Sequence, residues 1–579
     1  MVDTTVRVGI ELSGYVSGFP VWQSFRVGRL SQEVIMRRSL VLPLLLVLLS
    51  FGLAEEGARY LIISADALIP SIQPLAEWRH AQGLKTKVVP LSQIGTDTTA
   101  IKNYVRNAWS NWPIRPEYLL LVGSPSLLPA RYYSLQQGQS YTSDNIYADV
   151  GDNICAEIPY GRFPAKSAQQ LDVMVAKTLA YSRNPELTDT LWMRRLVTIV
   201  REGGDSDDTI YWRDIRQAAS LAASAGFVSC DSMSYYRGDN ATKVATAIDA
   251  GRGIVLYRGA AVSNWYTPFQ MNVAGLNNGW RLPIICSFTC ATMTLAPGES
   301  MVGDAWVKAG TVTAPKGAVA FVGNTHSDVN VARVRSAMSR GFFTGLFSEG
   351  RHELGKAFLR GKLQLYTEYP SYTRDYRGFN LFGDPALDVW TSTPRRLQVE
   401  HPATIPPEPQ QLSITVSSQG SPVSGALVCV SMDSVVYEYG NTDSSGSILF
   451  YIDPAHEGHL RLVVSGHNLY PYDTLIPVHE VGLAEESSRP RPGLQRLSAS
   501  PALFRRSTTL NWTGPGAAAA LVIRDALGRV VLSTAVAGNS FEWKGTDDRG
   551  CPVPAGVYVC TLKDSGGRLL ASTRLLRLD

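Results

Sequence analysis

Residues 58–392 are predicted to form an α/β domain, a parallel sheet with flanking helices, and two β-sandwiches are predicted to follow it. Three observations carry this prediction. Short apolar runs alternate with amphipathic stretches along 58–392, and those runs are apolar throughout, as in parallel strands buried on both faces. Beyond residue 393 the helical period gives way to polar–apolar alternation punctuated by turns.

The elements follow in order. Strand-like runs lie at 60–64, 86–89 and 118–123, separated by helix-like stretches at 69–82 and 98–109. The alternation resumes with runs at 196–200, 253–257, 282–288 and 317–323, with a helix around 212–225. Asn184-Pro185 marks a boundary, so 58–185 and 186–392 are expected to be two sheet-based halves. Residues 396–480 read as a sandwich with turns such as Thr442-Asp443-Ser444-Ser445-Gly446. Residues 481–496 are polar, rich in proline and read as a linker, and 497–579 as the second sandwich.

Composition limits the function classes. The 579 residues carry 54 Lys and Arg against 50 Asp and Glu, a formal charge of +4 that gives no footprint for nucleic acid. Hydrophobic residues make up 45%, which excludes a disordered or coiled-coil chain. Seven cysteines in a chain of this length are no disulfide framework, although Cys551 and Cys560 share one module and could pair. Met36-Arg37-Arg38-Ser39, the apolar run 40–53 and Gly52-Leu53-Ala54 read as a signal peptide over 36–54. The run is short of the roughly 20 residues that cross a bilayer, so no stable membrane span is expected. Residues 1–35 lack periodicity and precede this better initiator; they read as a mis-called or disordered extension.

In an open parallel sheet, reactive groups collect beyond the carboxyl ends of the strands. The run 196–200 leads to Arg201-Glu202-Gly203-Gly204, 253–257 to Arg258-Gly259-Ala260-Ala261, 282–288 to Thr289-Cys290, and 317–323 to Asn324-Thr325-His326. A thiol, a carboxylate and an imidazole thus stand at strand ends. Cys286, four residues before Cys290, reads as core packing. Asp205, Asp207 and Asp208 read either as a metal-binding loop or as an acidic turn at a helix start.

The chain resembles the gingipain family of cysteine peptidases over 58–480. The resemblance rests on 118–123, Ser143-Asp144-Asn145-Ile146-Tyr147, Ile158-Pro159-Tyr160-Gly161-Arg162-Phe163, 283–290, 317–323 and Asn380-Leu381-Phe382-Gly383-Asp384-Pro385, in that order. It implies a caspase-like fold in two subdomains, an immunoglobulin-like module after it, a protein or peptide substrate, and no required cofactor, with calcium left open. It also implies Cys290 as nucleophile, Glu202 as the carboxylate that orients the catalytic histidine, and an oxyanion hole from the backbone N–H groups of Ala261 and Cys290. The family histidine position reads Ala260. Three alternatives follow: a degenerate member that binds without cutting, acting as an adhesin or peptide-binding protein; an endopeptidase with His326 as substitute base; or a Cys290 that works without a base. The family's basic-residue preference needs an acidic pocket residue near 209–212, where no carboxylate follows Asp208, so that preference is not expected. Residues 497–579 resemble the immunoglobulin-like sorting domain of type IX secretion cargo. That likeness implies a protein secreted or held at the surface of a Gram-negative type of bacterium, with the outer-membrane secretion machinery as partner.

Overall fold

The computed structural model describes residues 57–135, 140–329, 331–479, 496–513, 520–525, 529–564 and 569–578. The extension 1–35, the signal-like segment 36–54 and the linker through residue 495 lie outside them. The chain divides into two units at residues 480 and 481.

The first unit is built on β1 (Tyr60–Ser64), β2 (Thr86–Pro90), β3 (Tyr118–Val122), a hairpin of β4 (Arg131–Ser134) and β5 (Ser140–Ser143), β6 (Tyr160–Phe163), β7 (Arg195–Arg201), β8 (Ser229–Ser234), β9 (Ile254–Gly259), a small ribbon of β10 (Ala261–Val262) and β11 (Asn264–Trp265), β12 (Ile284–Ala291), β13 (Ala320–Asn324) and β14 (Phe379–Phe382). Ten of these form a single sheet in the order β2-β1-β3-β6-β14-β13-β12-β9-β7-β8. The two halves expected from sequence therefore share one sheet. Their junction is β14, parallel to β6 and antiparallel to β13, the one antiparallel pair in the sheet.

Alternate strand residues feed two cores. Leu61 and Ile63 pack on one face with helices α2 (Thr98–Asn111), α4 (Asp207–Ser224), α7 (Ala332–Phe347) and α8 (Leu354–Glu368), while Tyr60 and Ile62 pack on the other with α1 (Ile69–Ala81), α3 (Ala168–Ser182), α5 (Ala241–Asp249) and α6 (Val302–Lys308). Local sequence starts these helices: Asp97 accepts from the N–H groups of Thr99 and Ala100 at α2, and Ser167 from that of Gln170 at α3. A short helix α9 (Thr373–Gly378) leads into β14.

Buried charges hold the junction. Arg162 on β6 donates to both Asp144 oxygens at 2.7 Å and to the carbonyls of Gly123 and Leu128. Asp384, just past β14, accepts from Tyr60 Oη at 2.7 Å and from Arg79 Nη2 at 2.6 Å. Lys362 on α8 reaches Asn145 Oδ1, Tyr160 Oη and the Phe379 carbonyl. The backbones meet closely here: a methyl at Gly161 would stand 2.2 Å from the Gly383 carbonyl oxygen.

Residues 398–478 form two antiparallel four-stranded sheets around one core that includes Leu412, Val430, Leu462 and Ile476. They dock on the α/β domain through Tyr437 Oη to the His80 carbonyl at 2.9 Å, Arg183 to Asp473 at 2.7 Å, and His467 to Asp388 at 2.7 Å. In the second unit, residues 496–578, sheets of three and five strands enclose Trp512, Ile523, Trp543 and Cys560. Cys551 and Cys560 are both free thiols, so the pairing that their shared module suggested does not form: Cys560 is buried on the core side of its strand and Cys551 is exposed in a turn. Among the described residues no helix is long and apolar enough to cross a membrane.

Two stability predictions follow from the buried charges. Asp384→Ala leaves Arg79 uncompensated, so the unfolding free energy measured by urea denaturation is expected to fall by about 3–5 kcal/mol. Lys177 on α3 is buried and donates to the Trp306 and Val307 carbonyls at the end of α6. Desolvation pushes its pKa down from 10.5 to about 7. Between those values the unfolded chain binds the extra proton, so stability rises with pH across that window. Denaturation midpoints at about pH 6 and about pH 9 should show this rise in the parent and not in Lys177→Met.

Candidate active site

The carboxyl ends of β7, β9, β12 and β13 open onto a cleft of ≈570 Å³ lined by Asp205, Asp207, Tyr211, the stretch 258–262, Thr289, Cys290, the loop from Ser327 and the start of α7. Cys290 stands out from the sheet because its pairing lapses. β12 and β13 are in register through Cys286 and Val322 and next at Ala291 and Asn324, so five steps on one strand match two on the other. Such a bulge turns the side chains within it away from the regular ladder. Cys286, before the bulge, is fully buried, and desolvation raises its thiol pKa strongly.

Half-buried Cys290 meets a guanidinium. Arg335 Nη1 donates to Cys290 Sγ at 2.7 Å, while the thiol points to the Asp328 carbonyl at 3.6 Å. Arg335 is itself buried and anchored by Asp375, Nε to Oδ1, at 2.8 Å. Burial opposes its charge, but Asp375 and Cys290 outweigh that effect and raise its pKa above the usual value. The contact places a fixed positive charge directly against the sulfur.

Ala260 is exposed and lines the cleft, and Ala261 beside it is buried. The turn between them and β9 needs Gly259, whose φ is +146° and where a methyl would stand 2.7 Å from Arg201 Cβ. Glu202, at the end of β7, is buried with both carboxylate oxygens engaged: Oε1 by Ser234 Oγ and Oε2 by the Tyr235 N–H. It does not line the cleft.

His326 follows β13, and β13 does lie beside β12. Its ring, however, turns to Tyr141 at 5.3 Å between centroids and to Asp328 at 3.6 Å; it makes no hydrogen bond to Cys290 and is not part of the cleft wall. Burial lowers its pKa from the ordinary histidine value. The structure thus brings Cys290, Ala260 and Ala261 to one cleft and leaves Glu202 and His326 outside it.

Asp205, Asp207 and Asp208 do not converge on a point. Asp208 accepts from the N–H groups of Gly203 and Gly204 at 2.7 and 2.9 Å, and Asp205 from that of Asp207, which is the acidic turn at a helix start. The three-residue group of metal-ligating type among the described residues, with ligand atoms all within 4.8 Å of one another, is instead His326, Asp328 and Asp375.

Sequence reasoning missed Arg335, Asp375, Arg258 and Asp214. Arg258 is buried at the cleft and pairs with Asp214 Oδ2 at 2.8 Å, over the Tyr211 ring. Asp214 is the carboxylate of α4 that inspection of 209–212 overlooked, and it is already matched. A signal did exist for Arg258, since a charge directly after the apolar run 253–257, inside what proves to be β9, demands a buried partner. Arg335 and Asp375 are 40 positions apart, and no spacing rule links them.

Residues 53–390 match peptidase family C25. The chain is 24% identical over 477 residues to gingipain R1 of Porphyromonas gingivalis, an alignment covering 80% of this chain and 46% of that protein. It is 25% identical over 439 residues to gingipain R2 of the same species, covering 72% and 56%. It thus spans about half the length of these curated relatives. The crystal structure of the Arg-specific cysteine proteinase gingipain R shares the fold, with a TM-score of 0.66 at 22% identity, covering 73% of this chain and 99% of the other. With a match that begins ahead of β1 and runs past β14 to the end of the α/β domain, the chain belongs to peptidase family C25, the family of the gingipains.

Proposed function

We propose that this chain is a secreted C25 protein whose cleft receives an extended peptide at Cys290 but has lost the proton transfer needed for efficient cleavage, and so acts as a peptide-binding pseudopeptidase. The observation behind this is the cleft wall: among the described residues it holds Cys290, Arg335, Arg258 and Ala260, and no imidazole. The Arg335 guanidinium stays protonated. It therefore neither accepts a proton from an attacking water nor returns one to a leaving amine, steps worth about 10²–10⁴ in rate. The backbone N–H groups of Ala261 and Cys290 remain as candidate donors to a peptide carbonyl, independent of the lost side chain. Asp214 is already paired to Arg258, so the carboxylates left for a basic substrate side chain on the cleft wall are Asp205, Asp207 and Asp328.

The second reading is a slow cysteine endopeptidase. It is favoured by the contact of Arg335 with Cys290 Sγ, which sets a cation beside the sulfur where the family has an imidazole. The docked sandwich at 398–478 is read as an immunoglobulin-like brace for the α/β domain. Secretion rests on the signal-like segment 36–54 and on the final module, read as a sorting domain for the outer-membrane machinery. No cofactor is needed for either reading.

Hydrolysis of an unfolded protein substrate, followed by mass spectrometry for the parent, Cys290→Ala and Ala260→His, separates the two. The pseudopeptidase predicts no excess of parent over Cys290→Ala and a rise of about 10²-fold in Ala260→His. Cys290-dependent cleavage by the parent, at any rate above that of Cys290→Ala, would instead establish the endopeptidase. In either case, iodoacetamide at fixed neutral pH should modify Cys290 at least about tenfold more slowly in Arg335→Met than in the parent, with Arg335→Lys between them.

A further inference from the structure

The group behind the cleft has features that the thiol chemistry does not use. His326 is 3% exposed and Asp375 fully buried, yet His326 Nε2 and Asp375 Oδ2 have no hydrogen-bond partner. Leaving such groups unpaired in the interior costs free energy, so each needs an explanation. The rest of the cluster is well satisfied. Asp375 Oδ1 accepts from Arg335 Nε at 2.8 Å and Asn324 Nδ2 at 3.2 Å, and Asn324 Oδ1 accepts from the His326 N–H at 2.8 Å. The orphan atoms are therefore held in place by their neighbours.

Asp328, partly exposed at the cleft rim, completes the group. Its Oδ2 lies 3.6 Å from His326 Nε2, too far for a hydrogen bond. With metal–ligand bonds of about 2.0–2.2 Å, two ligands of a tetrahedral ion stand about 3.4 Å apart. The spacing thus suits two groups on a shared ion, and one ligand atom from each of His326, Asp328 and Asp375 lies within 4.8 Å of the other two. An imidazole nitrogen beside two carboxylates suits zinc and similar ions, whereas calcium takes oxygen ligands. The hydrogen bonds from Arg335 and Asn324 to Asp375 are the outer-shell contacts that orient a ligating carboxylate.

We propose that His326, Asp328 and Asp375 form a binding site for a divalent transition-metal cation of the zinc class, next to the cleft. The site is distinct from the acidic turn at Asp205, Asp207 and Asp208 and does not depend on whether the cleft cuts peptides. It adjoins the nucleophile on two sides, because the Asp328 carbonyl faces Cys290 Sγ and Asp375 anchors the arginine that touches it.

The test is titration of the full chain, stripped with a chelator and dialysed, with Co²⁺ followed by its visible d–d absorption and with Zn²⁺ followed by calorimetry. The expected result is one saturable site per chain, weakened at least about tenfold in Asp328→Asn and His326→Gln and unchanged in Cys290→Ser. Asp328→Asn alters a partly exposed side chain and keeps the test valid if His326→Gln fails to fold. Absence of saturable binding, or binding that survives Asp328→Asn or is lost in Cys290→Ser with loss of a sulfur-to-cobalt charge-transfer band, would overturn the proposal.

Discussion

Charge buried where the two half-sheets meet is the constraint on which the rest of the structure depends. β14 has four residues and must join strands that run in opposite directions, so backbone pairing alone gives it little hold. Arg162, Arg79 and Lys362 supply the rest, each matched by Asp144, Asp384 or a set of oxygen acceptors. Breaking one such pair strands a charge in the interior, and that penalty makes the junction cooperative. Three of the six segments that carry the family resemblance, Ser143 to Tyr147, Ile158 to Phe163 and Asn380 to Pro385, lie at this junction. They specify how the halves join.

The same polar layer continues to the thiol. Asn324 at the end of β13 binds Asp375, Asp375 holds Arg335, and Arg335 reaches Cys290. Cys290 is thus positioned through Asn324, Asp375 and Arg335. Two carboxylates nearby, Glu202 and Asp214, are likewise satisfied inside the protein, the first by Ser234 and Tyr235 and the second by Arg258 and Ser336. Among the described residues the cleft wall keeps Cys290, Arg258 and Arg335 beside Asp205, Asp207 and Asp328, and holds no imidazole.

Much of the fold was legible. The run 60–64 is β1, 196–200 lies within β7, and 98–109 lies within α2, because apolar runs and helical periods reflect burial directly. The run 282–288 stopped short of Cys290, since the bulge that carries the thiol outward has no hydrophobic period. β14 was visible only through the family segment Asn380 to Pro385 and not as a strand, being too short for a pattern, and so one sheet was expected as two. At the site, the thiol at a strand exit was readable, as was the stretch at Ala260 that faces it across the cleft.

The amino-acid sequence by itself determined the strand and helix alternation, the change to β modules after residue 393 and the family, because each is a local pattern or a set of residues in a fixed order. Only the tertiary structure decided that Arg335 stands on Cys290, that Asp214 is neutralised by Arg258, and that His326 turns from the cleft to Asp328 and Asp375. Buried ion pairs form between residues tens to hundreds of positions apart, and their partners are chosen by packing geometry and the cost of desolvation, which leave no periodic mark on the chain.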